Sequence, residues 1–191
     1  YKSLSILKNA INCLKYLLKT MENKLKFMKS ALDSAKKAFD EGEVPIGAVV
    51  VCGGKIISRG YNKRTKRQIA TAHAEIEAIE KACKKLKSWR IPECEIYVTL
   101  EPCPMCMGAM LNARIKKVYF GAYEAKGRSM TEQLAASNLV NHTVEVEGGV
   151  MEKECAEILS SFFIEMRARE KAREKAEKEI LQENNSGQYE N

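Results

Sequence analysis

One histidine and two cysteines of this chain have the types and spacing of metal ligands. His73 stands in the stretch HAE at 73–75, and Cys103 and Cys106 stand in PCPMC at 102–106. Zinc binds neutral imidazole and thiolate, and three protein ligands leave its fourth tetrahedral position for water, as in catalytic sites. We therefore predict a catalytic Zn²⁺ site with His73, Cys103 and Cys106 as its ligands.

Glu75 follows the histidine by two positions and is not needed as a fourth ligand. Zinc lowers the pKa of its bound water toward neutrality, and a nearby carboxylate can take up the proton that this water releases. We place Glu75 in the exposed first turn of a helix. Its predicted role is to shuttle protons in a hydrolytic reaction.

Each part of this pattern has a simpler interpretation when taken alone. A lone histidine in a helix is more often structural, a lone C-x-x-C motif can be a redox pair or part of a zinc finger, and Glu75 could be a surface residue. A structural zinc site would need a fourth ligand, and the candidates His142 and Cys94 are expected in a loop and at a strand edge. H-x-E followed by P-C-x-x-C is the signature of zinc-dependent deaminases, which favours the catalytic interpretation.

The segments that must position these residues alternate between helices and strands. Apolar spacing predicts helices at 21–41, 72–86, 104–114 and 152–166 and strands at 47–51, 55–58, 95–100, 117–122 and 143–150. Thr71 is the expected N-cap of the second helix, and Pro104 opens the third. This order predicts an α/β fold with three α/β/α layers around a mixed central sheet of about five strands.

Apolar side chains at steps of three or four predict the buried face of each long helix. The expected inward residues are Leu25, Met28, Leu32, Ala35 and Phe39 in the first, Ile76, Ile79, Cys83 and Leu86 in the second, and Cys155, Leu159, Phe162 and Met166 in the last.

Composition predicts one cytoplasmic domain and is compatible with a polyanionic partner. The chain has 191 residues, 45% of them hydrophobic, and a net charge of +7. Its longest apolar runs fall short of the roughly 20 residues that cross a bilayer, so we expect no membrane partner. Seven cysteines, an odd number, predict a reducing compartment. Four cations crowd the segment 62–68, which we name the basic segment: Lys63, Arg64, Lys66 and Arg67.

The two ends of the chain differ from residues 21–166, which we predict to be the functional domain. Residues 1–20 contain four lysines and no acid, with Leu4, Leu7, Ile11, Leu14 and Leu18 on one helical face. Such a helix can lie on a membrane or dock on a partner, but we favour sequence upstream of a natural start at Met21. Residues 167–191 predict a charged helical extension and then a disordered tail from residue 184.

Several stretches of the middle of the chain resemble the bacterial tRNA-specific adenosine deaminase family. They are EVPIGAVVV, GYN, TAHAEIEAI, YVTLEPCPMCMGAMLNARIKKVYFGA and NHTVEVEGGV. The most specific is TLEPCPMCMGAMLNARI, because guanine deaminases are similar around the metal but usually differ just before Glu-Pro-Cys and at Asn-Ala-Arg-Ile. The resemblance covers about Met21 to Met166.

This resemblance implies a cytidine-deaminase-like fold, a homodimer with one Zn²⁺ per subunit, and conversion of the wobble adenosine of a tRNA anticodon loop to inosine. Carried over by position, His73, Cys103 and Cys106 bind zinc and Glu75 donates protons. Asn62 contacts the target nucleotide, and the backbone of Ala74 faces its base. The four cations of the basic segment are then expected to hold the anticodon stem-loop near the metal.

Two departures from the family pattern concern the substrate. Phe162 and Phe163 match a Phe-Phe pair of the family, one of them core, but Ile164, Glu165 and Met166 follow where the family has basic residues. The segment 124–138 is shorter and bulkier than its counterpart, which affects the predicted pocket mouth. Two alternatives stay open: a deaminase of free guanine or cytidine, and a non-catalytic zinc-bearing RNA-binding module, for which Glu75 has no use.

Overall fold

The computed structural model describes the backbone of residues 2–124, 131–137 and 141–186, and the side chains of these residues from 11 to 179. Residues 125–130 and 138 of the predicted pocket-mouth segment 124–138 lie outside the described residues. The described part contains six helices and five strands. The helices are α1 (Lys2–Asp40), α2 (Arg64–Arg67), α3 (Ala74–Leu86), α4 (Pro104–Asn112), α5 (Thr131–Ala135) and α6 (Glu152–Ser186). The strands are β1 (Gly47–Cys52), β2 (Lys55–Tyr61), β3 (Cys94–Leu100), β4 (Lys117–Ala122) and β5 (Glu145–Glu147).

The five strands form one mixed sheet in the order β2-β1-β3-β4-β5. The chain turns at Gly53 and Gly54, so β1 and β2 form the predicted hairpin, and β1 is also antiparallel to β3. The pairs β3–β4 and β4–β5 are parallel. Parallel neighbours need a crossover connection, and α4 supplies the one between β3 and β4. The predicted mixed sheet is confirmed.

Helices cover both faces of this sheet, as the alternation of strand side chains requires. Val50 and Ile96 pack with α3 and α4 in one apolar cluster. Val49 and Tyr97 pack with α1 and α6 in the other. The three-layer α/β/α architecture predicted from the order of elements is therefore confirmed.

Gly60, in β2, allows the first turn of α3 to approach the sheet closely. A Cβ atom at this position would lie 2.1 Å from the carbonyl oxygen of Ala74, which no side chain can tolerate. The glycine of the GYN stretch therefore fixes the separation between the end of β2 and the start of α3. Both segments carry predicted site residues.

The first helix is longer and less buried than predicted. Residues 2–20 and the predicted helix from Met21 form one continuous helix, α1, which packs on the sheet through its second half. Leu25, predicted to be inward, is 49% exposed, and the prediction for it was wrong. Ile11, Leu14 and Leu18 are exposed as well. None of the described helices is long and apolar enough to cross a membrane.

The last helix also extends beyond its predicted end. α6 continues to Ser186, three residues into the predicted tail, and residues 187–191 lie outside the described residues. Phe162 is buried against Phe39 of α1, whereas Phe163 is 45% exposed, so one of the two phenylalanines is core as expected. Met166 and, in α3, Leu86 are exposed, contrary to prediction. Both lie beyond the last residue of their helix that packs in an apolar cluster with the sheet, Cys83 in α3 and Leu159 in α6.

Candidate active site

His73 and Cys103 each occupy the residue immediately before a helix. His73 is the N-cap of α3 and Cys103 the N-cap of α4, both with extended backbone angles. The His73 side chain makes no capping hydrogen bond to α3 and is available for another partner, and the Cys103 side chain faces Cys106 in the first turn of α4. The predicted cap, Thr71, is exposed and lies too early, because the helix begins at Ala74 rather than at residue 72.

The three predicted ligands converge although 30 residues separate them in sequence. The Nδ1 atom of His73 lies 3.6 Å from the Sγ atom of Cys106 and 3.8 Å from that of Cys103. All three ligand atoms lie within 4.8 Å of one another. In the described part of the chain, this is the one group of histidine, cysteine and acidic residues close enough to hold a metal ion.

The electrostatics of this group favour negative charge on one of its two sulfur atoms, that of Cys103. Hydrogen bonds with Cys106 and His73 lower the pKa of the Cys103 thiol to about 4. The same contact with Cys103, together with burial, raises the pKa of Cys106. The hydrogen bond to Cys103 raises the pKa of His73. A thiolate therefore forms first at Cys103, and a bound cation is what would stabilise a second thiolate at Cys106.

Glu75 lies in the first turn of α3 and is buried, with only 4% of its surface exposed. The expectation of an exposed carboxylate was wrong, because α3 turns this residue toward α4 and the two cysteines. Burial raises the pKa of Glu75, and His73, Cys103 and Cys106 are its electrostatic neighbours. Its Oε2 atom has no hydrogen-bond partner among the described residues. Such a buried oxygen is suited to a group that binds in the site.

Asn62 is buried at the end of β2 beside an acidic residue that the sequence analysis missed. Its Nδ2 group donates to Oε2 of Glu43 at 3.3 Å, and the backbone N–H of Lys66 donates to Oε1 of Glu43 at 2.5 Å. Glu43 is 2% exposed. The signal in the sequence was an acid directly before the apolar stretch VPIGAVVV, where no solvent-facing position is expected.

The basic segment contains a short helix, α2, that the sequence patterns did not predict. Lys63 bonds to Glu77 at 2.6 Å and Lys66 to Glu41 at 3.0 Å, so both amines are already paired. Arg64 and Arg67 are exposed and form no ion pair with any side chain that the structure describes. Arg64 also acts electrostatically on His73, which places it near the metal-ligand group.

The two alternative zinc ligands are elsewhere. Cys94 is buried at the start of β3, at the opposite end of that strand from Cys103. The Nε2 atom of His142 lies 2.8 Å from the carbonyl oxygen of Ile115. A fourth protein ligand from either residue is therefore excluded by position.

Comparisons with known proteins agree with this geometry. Residues 22–167 match the MafB19-like deaminase family model. The tRNA-specific adenosine deaminase of Bacillus subtilis is 48% identical over 138 residues, which cover 71% of this chain and 86% of that protein. The protein of that name from Agrobacterium fabrum is 43% identical, covering 65% of this chain and 84% of its own.

Solved structures show the same fold. A structure from a study of A-to-I editing by tRNA:A34 deaminases at the wobble position superposes with a TM-score of 0.67 at 42% identity, covering 70% of this chain and 99% of that one. A guanine deaminase from Nitrosomonas europaea has a TM-score of 0.62 at 20% identity, covering 72% of this chain and 83% of that one, which supports the fold alone. The chain belongs to the MafB19-like deaminases and, by its curated relatives, to the tRNA-specific adenosine deaminase family.

Proposed function

We propose that this protein hydrolyses adenosine to inosine at the wobble position of a tRNA anticodon loop. The observation that carries the proposal is the convergence of His73, Cys103 and Cys106 beside the buried, unpartnered Oε2 atom of Glu75. Pure RNA binding has no use for a buried carboxylate with one oxygen left unpartnered among the described residues. The names of the curated relatives supply the substrate class.

The metal that these ligands fit is Zn²⁺. A tetrahedral zinc ion with Zn–N near 2.0 Å and Zn–S near 2.3 Å separates its nitrogen and sulfur ligands by roughly 3.6 Å. The corresponding distances from His73 Nδ1 to the two sulfur atoms are 3.6 and 3.8 Å. Bound there, the ion would act as a Lewis acid that makes water a nucleophile near neutral pH.

Glu75 is the proposed proton carrier. Burial raises its pKa, which favours a carboxyl group that can hold a proton as well as release one, as a general acid and base needs. In deamination of adenine, water adds at C6 and ammonia leaves from the same carbon. Glu75 would take the proton of the attacking water at Oε2, deliver it to the ring nitrogen and then assist the departure of ammonia.

Asn62 and Ala74 are proposed to hold the target nucleotide. Since the Nδ2 group of Asn62 is used by Glu43, its amide oxygen is the atom that can accept a hydrogen bond from the nucleotide. Ala74 begins α3 between His73 and Glu75, where the backbone N–H groups of a helix start lack helical partners. An anticodon loop suits such a site, because its unpaired bases leave the stack at little cost.

The basic segment is proposed to contact the RNA backbone, with Arg64 and Arg67 as the main contributors. Lys63 and Lys66 are paired with Glu77 and Glu41, so they contribute less to RNA binding than their number suggests.

We further propose that the enzyme is a homodimer that acts in the cytoplasm. The family resemblance supports the dimer, and free cysteines on the described residues agree with a reducing compartment.

The experiment that tests this function uses purified, zinc-supplied protein and an anticodon stem-loop RNA with adenosine at the wobble position. We expect inosine to form at that position alone. The matched substrates are the same RNA with a guanosine there, free guanine and free cytidine. Release of ammonia from a free base without inosine formation in the RNA would contradict the proposal in favour of a free-base deaminase. RNA binding without any turnover would favour a binding module.

A further inference from the structure

Two cysteines outside the metal-ligand group face each other across neighbouring strands. Cys52 ends β1 and Cys94 begins β3, and the antiparallel register of these strands places them directly opposite one another. Opposed residues of an antiparallel pair project from the same face of the sheet. Both side chains accordingly belong to the apolar cluster beneath α3 and α4.

The backbone hydrogen bonds define the type of this pair. The N–H group of Cys94 donates to the carbonyl oxygen of Ile91 at 3.0 Å, and its carbonyl accepts from Lys116 at 2.9 Å. Because the N–H and C=O groups of Cys94 both bond to partners outside β1, we assign Cys52 and Cys94 to a non-hydrogen-bonded pair. The Cα atoms of such pairs lie about 4.5 Å apart, within the range of roughly 4.4 to 6.8 Å that a disulfide spans.

We propose that Cys52 and Cys94 form a reversible cross-strand disulfide when the protein meets a two-electron oxidant of the peroxide class. The difference in exposure sets the order in which the two cysteines react. Cys52 is half-buried beside the exposed turn at Gly53 and Gly54, so the oxidant reaches it first. Cys94 is fully buried, and burial raises the pKa of its thiol to about 12. Cys94 therefore acts second.

The chemistry balances in two steps. The sulfur of Cys52, as thiolate, attacks one oxygen of hydrogen peroxide, the O–O bond breaks, and a sulfenic acid and hydroxide form. The sulfur of Cys94 then attacks that of Cys52, the S–S bond forms, and the S–O bond breaks with release of hydroxide. The two thiol protons convert both hydroxides to water. A small reduced thiol reverses the reaction by thiol–disulfide exchange.

Cys83 is the competing partner and supplies the control. It lies on α3, near enough to act electrostatically on Cys94, but its thiol donates to the carbonyl oxygen of Trp89 at 3.7 Å. Unlike Cys52, it is not held opposite Cys94 by a strand register. None of these three cysteines belongs to the metal-ligand group, so their oxidation is separable from loss of the metal site.

The disulfide would close a loop that contains β2, α2 and the helix α3 with His73 and Glu75. Closing such a loop restricts the unfolded chain, so the oxidised protein should unfold at a higher temperature. We expect Tm to rise by roughly 5 °C or more. The bond lies at the opposite end of β3 from the metal-ligand group, and zinc content should not change.

The test treats the full chain, purified with zinc supplied, with graded hydrogen peroxide, followed by alkylation of free thiols and mass spectrometry without reduction. We expect loss of two free thiols, a linked pair of peptides that contains Cys52 and Cys94, and recovery of both thiols with a small reducing thiol. Cys83→Ser should behave like the wild type, and Cys52→Ser should lose the linked peptide and the rise in Tm.

Cys94→Ser places a hydroxyl in the core and can fail to fold. The variants are therefore made at the half-buried Cys52, with Cys52→Ala as the second one. A linked peptide that joins Cys94 to Cys83, or equal thiol loss in wild type and Cys52→Ser, would overturn the proposal. Sulfinic acid on Cys52 with Cys94 still free would overturn it as well.

Discussion

Two regions carry residues predicted to be functional: the starts of α3 and α4, and the basic segment. They differ in whether their ionisable groups are buried or lie exposed or paired at the surface. At the helix starts, Glu75 and Cys106 are buried, and Glu75 has an oxygen without a described partner. In the basic segment the cations are exposed or paired with carboxylates. Burial without a partner costs folding free energy, which indicates chemistry at the first region. Exposure costs nothing and suits weak, additive contacts with RNA.

The largest expected effect comes from removing a thiolate. Cys106→Ser should lower deamination by roughly four orders of magnitude and abolish zinc binding, because alkoxide does not replace thiolate as a zinc ligand at neutral pH. Zinc content per chain and inosine formation check this result. The matched control is Cys155→Ala, at another fully buried cysteine, which packs in the apolar cluster with α1 on the opposite face of the sheet. Retained zinc with lost activity would contradict the ligand assignment.

Removing the buried carboxylate should separate chemistry from metal binding. Glu75→Gln is expected to lower the rate by roughly three orders of magnitude while leaving zinc content unchanged. The variant should be at least as stable as the wild type, since it no longer buries an ionisable carboxylate with one oxygen unpartnered among the described residues. Thermal unfolding and single-turnover rates on the stem-loop measure both effects. A variant that keeps its rate would show that Glu75 is not the proton carrier.

Glu43 connects the two regions, because it accepts hydrogen bonds from Asn62 and from the backbone of Lys66 in the basic segment. In Glu43→Gln the side chain keeps only one accepting oxygen. The Nδ2 group of Asn62 or the N–H group of Lys66 therefore loses its hydrogen bond and faces the NH2 group of the glutamine. We expect kcat/KM to fall about tenfold and stability to fall by about 1–3 kcal/mol. Glu41→Gln is the matched control, because Glu41 also accepts bonds from the basic segment and from Tyr61 but is more exposed. If Glu41→Gln lowered kcat/KM and stability as much as Glu43→Gln, Glu43 would have no specific role in positioning Asn62.

The smallest effect is expected for single cations of the basic segment. Arg64→Ala should raise KM for the stem-loop about threefold and reduce the slope of log affinity against log salt by about 1. Arg173→Ala on α6 is the matched control, an exposed arginine far along the helical extension. An unchanged salt slope in Arg64→Ala would mean that the segment does not contact phosphate.

Much of the fold could be predicted because it follows from local periodicity. The hairpin at Gly53 and Gly54, the strand that ends at Leu100 and the helix opened by Pro104 each have a signal within a few residues. Helix ends were harder. The prediction placed Leu25, Leu86 and Met166 inward because the apolar spacing continues past the sheet. The length of the sheet, which ends the buried face, is not written in any one helix.

By itself, the sequence determined the chemical types of the site: one imidazole, two thiolates and one carboxylate at spacings that suit a deaminase. Only the tertiary structure decided which of them are buried, that Glu43 holds Asn62, and that Cys52 lies opposite Cys94. The physical reason is range. Spacing along a helix or strand is local, whereas burial and strand register depend on which distant segments meet.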